Sequence, residues 1–324
     1  THEGETITAS DPNGNPVWHY TRAGLDLCSL GTAWGKVVAT YRTGVGCGDT
    51  VAIDAATGQY SDTRSAINSE DVVAIASNDR VGTVSTERVD IWRSDMVRTI
   101  EYGDVKAKQE PDMQEHEECS ITSALTRTEN LAVTESCPEN PNVTSLRLMG
   151  ATPEDSRKPE ISADATMDNQ GSRLIAVGQK AAAVYQPGET PRIDSYSETG
   201  EKTASQPVAP SPEVNNSSTP FAPATADLPH HMSWFDGQRL YLFTPTTLKV
   251  DHVFEDAIGT GMAVGDRLLM PTDEGIAVVN WSTGETERNI PVDRGDYEGP
   301  VFLTQSGTAI VEQRGDTAVG LSAL

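Results

Sequence analysis

The stretch VVAIASNDRVGTVSTERVDIWRSDMVRTIE, from Val72 to Glu101, decides the fold. It holds four short runs, at 72–76, 81–85, 89–92 and 97–101, each rich in Val, Ile, Thr or Trp. Alternating apolar residues of that kind form half-buried strands. The Asn78-Asp79 dipeptide joins the first two runs, and Asn and Asp tolerate the positive φ that tight antiparallel turns require. The unit is a meander of antiparallel strands.

Residues 260–292 repeat it: Met262-Ala263-Val264, a Gly265-Asp266 turn, Leu268-Leu269-Met270, Ile276 to Val279, the turn Ser282-Thr283-Gly284, and an exit strand. Further copies begin at 27, 120, 167 and 232, at a spacing of about 40–45 residues, the period of a four-stranded propeller blade. Residues 300–324 supply a blade that is one strand short, and Val17-Trp18-His19-Tyr20 supplies a strand with no blade of its own. Joining the two removes two open edges and closes a ring. The expectation is an all-β, seven-bladed β-propeller forming a single domain over residues 1–324, with an N-terminal strand on the C-terminal blade. A β-sandwich with insertions is the alternative, although a sandwich would not repeat its turn chemistry so regularly.

Composition narrows the partners. Across 324 residues, 48 acidic side chains face 24 basic ones, a formal charge of −24. Such a surface repels nucleic acid and anionic headgroups. No apolar run approaches the ~20 residues of a membrane-spanning helix. The chain opens Thr1-His2-Glu3 without an initiator methionine, so a signal peptide or membrane tether is expected upstream.

The four cysteines fall as Cys28/Cys47 and Cys119/Cys137, 19 and 18 residues apart, each pair enclosing an apolar strand. One disulfide per repeat, and an oxidising compartment, follow from that spacing. Four free thiols or a zinc site are the alternatives, and no Cys-x-x-Cys favours zinc. Two segments break the repeat: the charged insertion 104–118 and the Pro-rich stretch 198–229, both expected to be loops without structure of their own. In a propeller, connectors between blades share a face with the loops between second and third strands. The insertions and both disulfides therefore gather on one face, the expected functional face.

Chemistry is sparse. There is no nucleophile elbow, His-Glu-x-x-His motif or phosphate-cradling loop, so no catalytic residue, cofactor or metal is expected. His230-His231, expected just before an inner strand and facing the channel, and nearby Trp234 are candidate ligand contacts. Arg93 and Asp95, beside Trp92, are a second pair, because an aromatic face stacks on a sugar while Arg and Asp bind its hydroxyls. The plainer reading is that the tryptophans pack between blades and Arg93–Asp95 is a turn ion pair.

Asp54-Ala55-Ala56-Thr57-Gly58 and Asn280-Trp281-Ser282-Thr283-Gly284 resemble the turns of PQQ-like and WD-type propeller repeats. Residues 34–42, Gly46-Cys47-Gly48-Asp49 and 77–103 are similar to the polar growth factor A family, membrane-anchored envelope propellers of mycolate-making actinobacteria. That resemblance implies a periplasmic protein tethered to the inner membrane, a partner in a lipid exporter, and a glycolipid ligand, trehalose monomycolate. The expected function is thus a non-enzymatic carrier of an envelope glycolipid. A protein–protein scaffold is the alternative, and a quinoprotein-like enzyme is third.

Overall fold

The computed structural model describes residues 1–229 and 231–321, and within them the hairpin chemistry of the sequence builds a ring of eight antiparallel sheets. Blade 1 comprises residues 2–21, blade 2 27–65, blade 3 73–103, blade 4 120–167, blade 5 173–207, blade 6 225–254, blade 7 262–291 and blade 8 301–321. Blades 1 and 8 have three strands and the other six have four. Chain order is spatial order within every blade.

The expected seven-bladed closure is therefore corrected to eight blades. Pro16–Thr21 does not join the C-terminal sheet; it pairs with Thr6–Ser10, which pairs in turn with His2–Glu3. The reason is local. Asp11 accepts from the backbone N–H groups of Asn13 and Asn15 at 2.9 Å, and Gly14 takes a positive φ of 83°. A tight hairpin closes at far lower entropic cost than a strand carried round the whole ring. Thr6–Ser10, with Ile7 as its one large apolar residue, has too little hydrophobic alternation to read as a strand.

Apolar packing holds the blades together. One buried cluster sits between each successive pair from blade 1 to blade 8, seven in all. Leu131, Val133 and Ile91 are fully buried between blades 3 and 4, and Trp234, Tyr241 and Phe243 between blades 5 and 6. The fourth strands form the outer edge: Lys202–Pro207 and Glu285–Pro291 are almost wholly exposed, in contrast with buried Ala181–Gln186 and Gly275–Asn280. The repeated turns serve this geometry. Asp54 Oδ1 accepts from Ala56 N, Thr57 N and Thr57 Oγ1, and Asn280 Oδ1 accepts from Ser282 N.

The two stretches expected as unstructured loops carry order. Residues 198–229 contain the fourth strand of blade 5 (Lys202–Pro207), a short helix α1 (Pro212–Asn216) and the first strand of blade 6 (Thr225–Asp227). In the insertion 104–118, Val105 and Met113 are buried. Gln114 there donates to Glu101 O and Arg157 O and accepts from Gly103 N.

Both expected disulfides are present, Cys28–Cys47 and Cys119–Cys137, with Cα separations of 6.0 and 4.2 Å. Cys28–Cys47 ties the first strand of blade 2 to the start of its third, and Cys119–Cys137 ties the entrance of blade 4's first strand to the loop between its second and third strands. Peptide mapping without reduction is expected to return these two linkages and no crossed ones. The double variant C28S/C47S is expected to lose about 3 kcal/mol in urea unfolding, the loop entropy a cross-link of this span removes from the unfolded chain.

Candidate functional site

The loop face is built by the connectors between blades, and the longest of them, residues 208–224, reaches inward to the first strand of blade 4. After blade 5 the chain runs through α1, capped by Ser211, whose Oγ accepts from Val214 N. Glu213 N donates to Asp236 O in the turn between the second and third strands of blade 6. The chain then reaches blade 4: Phe221 N donates to Thr122 O at 2.7 Å, and Phe221 bridges Ser123 on the first strand of that blade. Asp227 meets Arg127 of blade 4 at 2.6 Å and Asn78 of blade 3 at 3.4 Å. The connector thus touches the first strand of blade 4 through Phe221, and the first strand of blade 6 reaches blades 3 and 4 through Asp227.

Glu213 fixes this connector. Its carboxylate accepts from Trp234 Nε1 at 2.6 Å and from Ala224 N at 2.7 Å. Burial pushes its pKa from the ordinary 4.5 up to about 7, against the lowering effect of the two donors.

Beside the Cys28–Cys47 disulfide a cleft of about 560 Å³ opens on the same face. Its walls include Arg22 and Asp49, which form an ion pair, and its lips are the exposed Val45 and Ile67. The motif Gly46-Cys47-Gly48 shapes it for a steric reason. A Cβ on Gly46 would lie 2.0 Å from Asn68 O, and one on Gly48 1.7 Å from Ala66 O. Only glycine lets the connector run against this strand, where Cys47 N donates to Ser69 O and Ala66 N to Gly48 O.

The ligand contacts proposed from the sequence do not converge. Arg93 and Asp95 form a closed, exposed fork, with Nε to Oδ1 at 2.9 Å and Nη2 to Oδ2 at 3.0 Å; the guanidinium and Val97 N hold the Asp95 carboxyl down to about 2. Trp92 beside them is buried between blades 2 and 3. His231 precedes the second strand of blade 6, not an inner strand, and its Nε2 lies 2.9 Å from Asp251 Oδ2. Trp234 is wholly buried. His230 lies outside the described residues. Arg93 and His231 occupy turns of blades 3 and 6, on the face opposite the disulfides.

His116, Cys119, Glu135 and Cys137 bring potential metal-ligand atoms within 4.8 Å of one another. Both sulfurs are joined in the disulfide, and Glu135 already accepts from Tyr102 Oη at 2.7 Å and Arg147 Nε at 2.8 Å. Those donors are engaged, so the cluster does not suit an ion in this state. What sequence reasoning missed is Glu213, lost in a Pro-rich stretch, and the cleft, whose glycines were legible as a motif but not as a close approach.

No family model and no curated protein matches the chain. Among solved structures it is similar to BamB from Moraxella catarrhalis, at 13% identity over 95% of this chain and 88% of that one, with a TM-score of 0.48. It is also similar to Citrobacter koseri AztD, at 11% identity over 98% and 91%, with a TM-score of 0.52. The latter supports a β-propeller fold, which is the class of protein the chain's architecture defines. Neither likeness supports the narrower resemblance to the polar growth factor A family.

The Glu213 carboxyl makes the connector's anchoring depend on pH. Its folded pKa lies above the unfolded value, so its stabilising contribution is full below about pH 4.5 and is lost as pH rises through about 7. Relative to E213Q, the wild type is expected to lose melting temperature between about pH 5 and about pH 8, by at most about 3 kcal/mol of stability. Parallel pH profiles for the two proteins would remove Glu213 as the source.

Proposed function

We propose that the protein is an extracytoplasmic, non-catalytic binding propeller whose loop face docks a protein partner. The observation that carries this reading is the convergence on one face of both disulfides, both long connectors and the Val45–Ile67 cleft. A disulfide-stapled, glycine-jammed rim is pre-organised, so little conformational entropy is lost when a partner binds. Two exposed apolar side chains around an ion pair form a small apolar anchor with a polar rim, the arrangement of a protein interface. The disulfides fit an oxidising compartment. An inner-membrane tether upstream of Thr1 belongs to the same proposal.

A glycolipid such as trehalose monomycolate would need an apolar groove for its acyl chains, at about 0.8 kcal/mol per buried methylene. The cleft offers chiefly Val45, Ala66 and Ile67 as apolar lining, too little for an acyl chain. The geometry therefore favours a protein partner over a lipid.

Photo-crosslinking tests this directly. A crosslinker at Ile67 is expected to give one discrete protein adduct in cells, while one at Val264, equally apolar and exposed at the opposite face, gives none. Adducts to lipid alone at Ile67 would transfer the assignment to the glycolipid, and identical adducts at both positions would refute a dedicated face.

A further inference from the structure

Among the described residues, the other arginines that are buried or half-buried are neutralised by a carboxylate. Arg88, Arg98 and Arg157 converge on Asp90 and Glu101, Arg147 reaches Glu135, and Arg294 and Arg314 share Glu312. Arg173 differs. It opens the first strand of blade 5, Arg173–Val177, on the loop face beside the connector between blades 5 and 6, and it is partly buried. Nη1 donates to Ser172 O at 3.0 Å, Nη2 reaches Thr219 Oγ1 at a long 3.4 Å, and Nε is buried without an acceptor. Among the described residues no carboxylate lies within ion-pair distance of it.

That vacancy does not reflect a shortage of acids, since the chain carries twice as many acidic as basic side chains. A guanidinium stays protonated wherever it is placed, so a buried one without a counter-ion costs stability. Desolvation accordingly lowers the pKa of Arg173, with no charge partner opposing it. Retaining so costly a group is explained when an anion from outside completes it.

The geometry also indicates the kind of anion. The Nε–Nη2 edge of a guanidinium is a planar fork that matches two oxygens of a phosphate. Its partner Thr219 is exposed and ends the polar run Asn215-Asn216-Ser217-Ser218-Thr219, and the Thr219 hydroxyl, which accepts from Nη2, keeps a proton to donate to an anion. We propose that Arg173 and Thr219 form a binding site for a phosphate-type oxyanion, entered by displacing the long Nη2–Thr219 contact. This proposal does not depend on the docking cleft over blades 2 and 3. The overall charge opposes an extended anionic membrane surface more than a single small anion, so the expected source is a small soluble phosphate.

Thermal melts in inorganic phosphate, against sodium chloride at equal ionic strength, test it. The wild type is expected to gain about 4 °C at a phosphate concentration a hundredfold above its Kd. R173M is expected to gain nothing from phosphate, and without it to melt no lower than the wild type, because an uncompensated charge has been removed. R173K keeps the charge and loses the fork, so it guards against a misfolded R173M and is expected to lose most of the gain. Vesicles of phosphatidylglycerol in phosphatidylcholine separate the sources. Arg173-dependent retention on them assigns a lipid headgroup, and a phosphate shift without retention assigns a soluble ligand. No shift in the wild type, or an equal shift in all three proteins, overturns the site.

Discussion

A single four-stranded sheet of this chain has no core of its own: both of its faces must be covered, and the covering comes only from the sheets on either side. Every other feature follows from that packing. Middle strands are buried on both faces and read as apolar, whereas outer strands carry sequences such as Lys-Thr-Ala-Ser-Gln-Pro at 202–207, which nothing in a hydrophobic pattern would mark. The first strands are also tied together by the connector between blades 5 and 6, which reaches across to blade 4.

This division explains what could be read in advance. The meander at 72–101 and its repeat at 260–292 place strong apolar runs in middle strands, and the architecture follows from them. The cysteine spacing gave the correct pairing because the enclosed strand fixes which loops meet. The blade count failed at Thr6–Ser10 and the blade boundaries failed at Lys202–Pro207 and Thr225–Asp227, all short, polar and positioned by tertiary pairing alone. The candidate site was less legible still. His231, Trp234, Arg93 and Asp95 are residue types suited to ligands, yet the fold uses each internally: His231 on Asp251, Trp234 in the core and on Glu213, Arg93 on Asp95. Which half-buried charges lack a counter-ion is a property of the folded ring, and Arg173 is visible only there.

The loop face shows how rigidity is obtained without regular structure. Disulfides hold two of its loops, glycines bring a connector against the Cys47 strand, and Glu213 and Gln114 supply side-chain acceptors and donors where the backbone has no sheet to join. A face fixed in this way presents a constant shape, which suits selection of one partner more than accommodation of many.

The seven apolar clusters leave one junction of the eight unsealed. Among the described residues, blade 8 meets blade 1 without a buried cluster, although the two come so close that a Cβ on Gly320 would lie 1.9 Å from Pro12 O. A circle with one unglued joint behaves mechanically like a split washer. Thermal opening costs least at the split, because no buried apolar cluster has to part there. The described chain begins and ends at this joint, so opening it separates two sheets without parting any apolar cluster.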